Sequence, residues 1–505
     1  MTSTKLPMSL PASRNLSPEA GELSPGFEGY DQHKVRDAIR DNLWLHFTQM
    51  SDYQNPETRP LVLVKGEGTT VWDQNGKAYL DFLAGIYSVN AGYGRKRIAE
   101  AMMAQLEAMP FVNPFGYASV PAAVLADRLA DLAPLGGDAR VFFTSGGSES
   151  VETALKLAKQ YQTARGFPHR WKTISRRVAY HGTTIGALSV NGITGARAPF
   201  GPMMPGARHA PMSHRFRCPY CKGAPACTMM CYDEIERLVE FEGPDSVAAI
   251  ITEPVQNAGG CIPPGSMDYF KKIRKLCDET GILMIMDEVI CGFGRLGELF
   301  GSTYFGVEPD VITTAKGITS SYAPLGAVLA RKSVADSFSA EVEDYWPAPV
   351  ANARRYGFMH GLTFGGHPVA AAAAIANLDI MLEEDLAGRA KTMGNYLKAE
   401  LDAALGNHPN VGDIRGAGLF LGVELVTDRE TMASPTDPGL LDWLSDQMLE
   451  RGLILRNDGR NDPTTQLCPP LIVTKEECDY VVETLVDCFD GLGRKLGTVG
   501  TSHAT

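Results

Sequence analysis

The feature that most constrains this chain is a rhythm. Short apolar runs of strand length, bounded by Gly or Pro, alternate with longer segments of helical spacing. Two of these runs lie close together: GILMIMDEV from Gly281 to Val289, and PDVITTAKG from Pro309 to Gly317. Both are rich in Ile, Val and Met, as a strand buried on both faces reads. Strands are predicted over 140–144, 177–179, 247–252, 281–287, 311–315 and 326–330. Alternation of this kind implies an α/β fold with a largely parallel sheet and helices on both of its faces.

The ends of the two runs carry chemistry. In an open α/β sheet, ligands bind beyond the carboxyl ends of the strands. The first run ends in Asp287 and Glu288, the second in Lys316, so an acid and an amine reach one mouth. An amine there can form a Schiff base if its surroundings lower its pKa. A buried carboxylate there needs a cationic partner. Pyridoxal 5'-phosphate meets both needs, since its aldehyde takes the amine and its protonated ring nitrogen pairs with the acid. The competing reading is a structural ion pair between Asp287 and Lys316.

Further segments bear on that choice. The strand RVFFT is followed by Ser145, Gly146, Gly147, Ser148 and Glu149, then by a helix whose apolar face is Val151, Ala154, Leu155, Ala158 and Tyr161. Glycines before a helix let backbone N–H groups approach an anion, so Gly147 and Ser148 are predicted to cradle a phosphate. Ser148 also fits an ordinary N-cap. The loop is neither a Walker motif nor a G-x-G-x-x-G dinucleotide loop. In VAYHGTT, Tyr180 follows a strand and is placed to lie flat on a heteroaromatic ring, while His181 suits a structural hydrogen bond equally well. Glu253 closes the run VAAIITEP. Val289, two residues past Asp287, points to the same side.

Taken in order, TSGGSES at Thr144, YHG at Tyr180, TEPVQNAGG at Thr252, DEVICGFGR at Asp287, AKGITSSYAPLGA at Ala315 and HGLTFGGHP at His360 resemble the motifs of the class III (subgroup II) aminotransferases. That family belongs to the fold-type I pyridoxal-phosphate superfamily. The resemblance implies a large domain with a mostly parallel sheet and a smaller α+β domain. It implies that Lys316 tethers the cofactor and carries a proton between the substrate Cα and C4' of the cofactor, and that Asp287 keeps the pyridine nitrogen protonated. Gly147 and Ser148 would take the phosphate, Tyr180 and Val289 the two ring faces, with Glu253 beside them. Thr363 matches a threonine that reaches the phosphate of the neighbouring subunit, which implies a homodimer with shared active sites.

Two departures narrow the expectation. Gly146 replaces the first serine of the common NSGSEA loop. In QLCPPL, Gln466 stands where members that use 2-oxoglutarate carry an arginine that pairs with the acid matching Glu253. Instead Arg456, in LILRNDGR, resembles the mobile arginine of pyruvate-dependent ω-aminotransferases, with Arg460 as the substitute given the insertion before Cys468. Tyr87, in GIYSVNAGYG, resembles an aromatic of their substrate pocket. The expected reaction is ping-pong transfer of an amino group from β-alanine, taurine, a diamine or an arylalkylamine to pyruvate. A same-fold enzyme using 2-oxoglutarate or another keto acid is the alternative. A non-catalytic binding module of the same fold is the rival of a different class, and no DNA-binding helix-turn-helix accompanies the intact Lys and Asp.

The expected organisation is an N-terminal extension over 1–30, rich in Pro, Ser and Gly and disordered. It is followed by the first part of a small domain over 31–85, the large cofactor domain over 86–368 and the rest of the small domain over 369–495. The net charge of -12 argues against nucleic acid or anionic membrane as partners. No apolar run reaches transmembrane length and no apolar signal core opens the chain, so a cytoplasmic protein with reduced thiols is expected. Cys218, Cys221, Cys227 and Cys231 pair as C-x2-C and C-x3-C. The gap between the pairs is short for a zinc ribbon, so no metal is expected, and a surface insertion with free thiols is the reading.

Overall fold

The computed structural model describes residues 31–53, 60–221, 224–258, 260–338, 357–437, 439–460 and 462–499. The extension expected over 1–30 lies outside the described residues. The chain opens with helix Gln32–Asn42 and a small antiparallel sheet of β1 (Leu63–Glu67), β2 (Thr70–Asp73) and β3 (Ala78–Asp81).

The apolar runs build a seven-stranded sheet. Its members are β4 (Ala139–Thr144), β5 (Lys172–Arg176), β6 (Ala207–Ala210), β7 (Val247–Thr252), β8 (Leu283–Asp287), β9 (Val311–Thr314) and β10 (Gly326–Arg331). Their order is β4-β10-β9-β8-β7-β5-β6. All pairings are parallel except those of β10, which runs antiparallel to both β4 and β9. Two expectations shift. The strand expected over 177–179 lies upstream as β5, because its buried positions are polar (Thr173, Ser175 and Arg176) and no apolar run marks it. Val178 sits in the left-handed region at φ 64° and ends the strand as a turn. The short β6 is a further strand, alternating too briefly to be seen in sequence.

Central strands β7 and β8 are buried at every position. Side chains alternate across a strand, so Ile251 and Ile285 face one layer while Ile250, Met284 and Met286 face the other. The first layer includes Val151, Ala154, Leu155 and Ala158 of helix Gly147–Ala164. The second includes Phe270 and Ile273 of helix Tyr269–Thr280. Each fully buried side chain of this size contributes about 2 kcal/mol, which explains why these runs are apolar on both faces until their last residues, Thr252 and Asp287.

Helix Pro368–Glu383 leaves the large sheet, its alanines packed against helices Lys96–Ala108 and Val120–Leu132. Beyond it, β11 (Val411–Ala417), β12 (Phe420–Leu425), β14 (Arg456–Asp458) and β15 (Thr464–Leu467) form a sheet in the order β11-β12-β15-β14. Helices Leu386–Leu405 and Lys475–Leu496 pack together. A short strand, β13 (Leu453–Ile454), leaves this part of the chain and pairs in parallel with β3. The opening sheet is thus closed by the last part of the chain. No helix among the described residues is long and apolar enough to cross a membrane.

Candidate active site

A cavity of about 240 Å³ opens at the carboxyl ends of β4, β7, β8 and β9. Gly147, Ser148, Tyr180, Glu253, Asp287, Val289 and Lys316, all predicted from sequence, line it together. Lys316 follows β9 and holds φ at 50°, a left-handed conformation unusual for a lysine. Among the described residues its Nζ has neither a hydrogen bond nor an ion pair. Burial pushes its amine below the ordinary lysine pKa, against the pull of the Asp287 carboxylate.

Asp287, at the end of β8, is 4% exposed. Its Oδ2 accepts from His181 Nδ1 at 2.7 Å, and its Oδ1 from Thr313 Oγ1 at 3.1 Å and Val289 N at 3.2 Å. His181 is therefore the partner that orients this carboxylate; its place beside Tyr180 in VAYHGTT was the available signal. Glu253 accepts from the backbone N–H groups of Tyr180 at 3.1 Å and Asn257 at 2.9 Å. Burial raises its carboxyl above the usual range.

At the other end of the cavity stands the N-terminus of helix Gly147–Ala164, whose first-turn N–H groups have no intrahelical acceptors. A Cβ on Gly147 would stand 2.9 Å from Val289 Cγ1, so glycine lets the loop close down on that valine. Ser148 Oγ accepts from Thr183 N at 3.0 Å, which ties the loop to the segment carrying Tyr180. An anion-seeking helix end, a tyrosine, a valine, an oriented buried carboxylate and an unpartnered amine thus line one cavity. This donor set fits pyridoxal 5'-phosphate.

The remaining predicted residues lie elsewhere. Tyr87 does not line this cavity. It is 1% exposed, packs its ring edge on Phe420, and donates its hydroxyl to Gln466 Oε1. Gln466 Nε2 in turn donates to Asn257 O at 3.0 Å and to Asp458 Oδ2 at 3.3 Å. Asp458 is forked by Arg460, whose guanidinium lies over the Tyr180 ring at 5.6 Å. Burial works to raise the Asp458 carboxyl, but Arg460 and the charge of Arg456 hold it below the usual range. Arg456 is half-buried, its charge acts on Lys316, and among the described residues it makes no hydrogen bond or ion pair. Asp458 was not foreseen, because nothing in the insertion's sequence fixes which way its side chains turn. Thr363 is exposed and stands outside the cavity of its own chain.

A second buried cluster lies apart from this cavity. Glu424, fully buried on β12, accepts from Arg217 and Arg415 and lies 3.2 Å from His214 Nε2. Arg217 also pairs with Asp462 at 3.1 Å, and Arg415 with Asp413 at 3.1 Å. The ligand atoms of His214, Glu424 and Asp462 have the mutual spacing of a metal site. The two guanidiniums already occupy those carboxylates, so the chemistry is that of an ion-pair network.

The sequence model of the family described as Aminotransferase class-III matches residues 53–489. A probable aminotransferase of Mycobacterium tuberculosis is 45% identical over 461 residues, covering 90% of this chain and 94% of that protein. A putrescine–pyruvate aminotransferase of Pseudomonas aeruginosa is 35% identical, covering 88% of this chain and 94% of its own. The crystal structure of an ω-transaminase from Pseudomonas jessenii in complex with PMP superposes with a TM-score of 0.84 at 35% identity, covering 92% of this chain and all of that one (100%).

Proposed function

The chain belongs to the class-III aminotransferases, enzymes that depend on pyridoxal 5'-phosphate and move an amino group from an amine donor to a keto acid, and on that premise we propose that it is an ω-aminotransferase with pyruvate as its acceptor. The observation that carries this reading is the pair Gln466 and Arg456. At Gln466 a neutral amide, engaged by Tyr87, Asn257 and Asp458, stands where a clamp for the second carboxylate of 2-oxoglutarate would need a cation. Arg456 keeps its guanidinium uncommitted, so a single carboxylate has a bidentate partner. The putrescine–pyruvate relative supports the same acceptor.

The bound cofactor supplies an electron sink that lowers the acidity barrier at the donor carbon bearing the amine. Lys316 is the base that takes the proton from that carbon and later returns a proton on the way to product. Its lowered pKa suits the task, since a larger share of the amine is neutral at a given pH. Asp287, oriented by His181, holds a proton at the ring nitrogen by its negative charge. Tyr180 and Val289 confine the ring, and the helix at Gly147 and Ser148 takes the phosphate. Arg456 orients the carboxylate of pyruvate, while Arg460, parked by Asp458 on Tyr180, leaves that role to it. The donor is an amine of the ω-amino acid, diamine or arylalkylamine class.

We also propose a homodimer. Met103, Leu106, Met109, Phe115, Tyr117, Val120 and Phe364 are each at least half exposed, an unusual concentration of apolar surface. Thr363 adjoins Phe364 there, where a second copy would bring it to that copy's phosphate end.

The experiment is a panel of amines with pyruvate and with 2-oxoglutarate, read by cofactor absorbance and product. Turnover with pyruvate far above that with 2-oxoglutarate is expected. Preference for 2-oxoglutarate would overturn the acceptor, and a cofactor absorbance unmoved by every amine would overturn the catalytic reading itself.

A further inference from the structure

Of the ten cysteines, six are isolated in the core: Cys261, Cys277, Cys291, Cys468, Cys478 and Cys488. Burial pushes each of their thiols up, which makes them poor nucleophiles. The remaining four behave differently. Cys218, Cys221 and Cys227 lie on the segment between β6 and helix Met230–Glu242, and Cys231 lies in the first turn of that helix. Cys221 Sγ stands 4.0 Å from Cys227 Sγ, and the Cys218 thiol is near enough to act on its ionisation. The insertion lies at the surface with free thiols, as expected, Pro219, Pro225, Ala226 and Thr228 being exposed, but it turns its sulfurs inward: Cys218, Cys221 and Cys231 are buried, and Cys227 is the half-buried member.

Cys221 is set up as the thiolate of the group. Its sulfur lies 3.3 Å from both the backbone N and the side-chain Oγ1 of Thr228. Burial works against its ionisation, but those hydrogen bonds and the neighbouring Cys218 and Cys227 thiols bring its pKa down to about 7. Burial holds Cys227 above its ordinary value, so the two differ in the direction a nucleophile and a resolving thiol require. The four sulfurs do not have the mutual spacing of a closed thiolate metal site. Among the described residues, the His214, Glu424 and Asp462 cluster is the only trio of His, Cys, Asp or Glu ligand atoms within 4.8 Å of one another. What the geometry offers is a pair. A disulfide has sulfurs about 2 Å apart, so side-chain rotation of two loop residues spans the remaining gap.

We infer that Cys221 and Cys227 form a reversible oxidation site that closes to a disulfide in the presence of a hydroperoxide. The Cys221 thiolate attacks one peroxide oxygen. An S–O bond forms as the O–O bond breaks, and the departing oxygen leaves protonated. Cys221 is then a sulfenic acid. Cys227 loses its proton and attacks the Cys221 sulfur, the S–S bond forms, and the hydroxyl leaves as water. The two thiols together lose two electrons, and the peroxide gains them, giving two molecules of water when the oxidant is hydrogen peroxide. The product closes a small loop within the insertion that also carries Arg215 and Arg217, the residues that dock it on its own loop and on Glu424.

The test uses the full chain loaded with cofactor, reduced and then exposed to hydrogen peroxide, alkylated and mapped by mass spectrometry. A cross-linked peptide joining Cys221 and Cys227, reversed by dithiothreitol, is expected, with the free-thiol count falling by two. C218S should keep the cross-link. C227S should lose it and leave Cys221 reactive to a sulfenic-acid probe, while its reduced form transaminates at the wild-type rate and shows the same cofactor absorbance. C227A repeats that arm if the serine variant does not fold. A Cys218–Cys221 linkage, four thiols that survive peroxide unchanged, or a stoichiometric metal ion that protects them would each overturn the assignment.

Discussion

Two buried charge clusters in this molecule look alike in composition and differ in balance. Around Glu424, two guanidiniums meet the buried carboxylate and burial is outweighed there: His214, Arg415 and Arg217 bring the glutamate down to about 2, although burial still raises the half-buried Asp462 beside it. Around the cavity, burial wins. Lys316 is pushed down, Glu253 is pushed up, and both Lys316 and Arg456 stand without a hydrogen-bonded partner among the described residues. A saturated cluster has nothing left to offer a ligand and serves to lock strands together. An unsaturated one keeps its groups near the point where protons change hands, and it is there that the family's cofactor fits. The difference teaches that the count of buried charges does not mark a functional site; the charges left without a match do.

The sharpest way to break this contrast is to remove an unmatched group. Lys316→Ala should reduce turnover by at least about 10⁴-fold, with the fold intact by circular dichroism. Appreciable transamination by this variant would sink the catalytic assignment. Glu424→Gln should do the reverse, destabilising the fold by about 3–5 kcal/mol at neutral pH, while the folded fraction keeps its rate. Because the folded-state pKa of Glu424 is depressed from 4.5 to about 2, its stabilisation is present above pH 4.5 and is lost as pH falls towards 2. Denaturation curves of wild type and variant should therefore converge over that window, and a gap that stays constant would contradict the ion-pair account. Arg456→Ala should raise the KM for pyruvate by about 10- to 100-fold, as for a lost charge-assisted hydrogen bond, with little change in KM for an arylalkylamine. The smallest effect on turnover is expected for Arg460→Ala, which removes a cation–π contact with Tyr180 worth about 1 kcal/mol and costs fold stability by leaving the buried Asp458 without its guanidinium. A shift in cofactor absorbance without loss of kcat would register the release of Tyr180.

Much of this was legible before any coordinates. Strands β7, β8 and β9 announce themselves because burial on both faces leaves their polar residues, Thr252, Asp287, Thr313 and Thr314, only at the carboxyl ends. The residues at their ends, Glu253, Asp287 and Lys316, then share a mouth by topology alone. What stayed hidden follows a physical pattern. Strand β5 buries Thr173, Ser175 and Arg176, satisfied by tertiary partners that no local window contains. The Glu424 network joins residues far apart in sequence, and charge alone does not say which arginine meets which acid. Tyr87, expected in the substrate pocket, is buried and gives its hydroxyl to Gln466, a partner 379 residues away that no local window contains. The choice between Arg456 and Arg460 needed Asp458, whose side chain engages one of them and leaves the other.

The pairing of β13 with β3 has a consequence for how the molecule is made. The opening sheet leaves the ribosome hundreds of residues before its closing strand. At about 5–20 residues per second, β3 waits on the order of tens of seconds with an unpaired edge in a crowded cell. A chaperone that shields strand edges would have its longest engagement with this protein there, and truncation before β13 would yield a chain held open at its beginning.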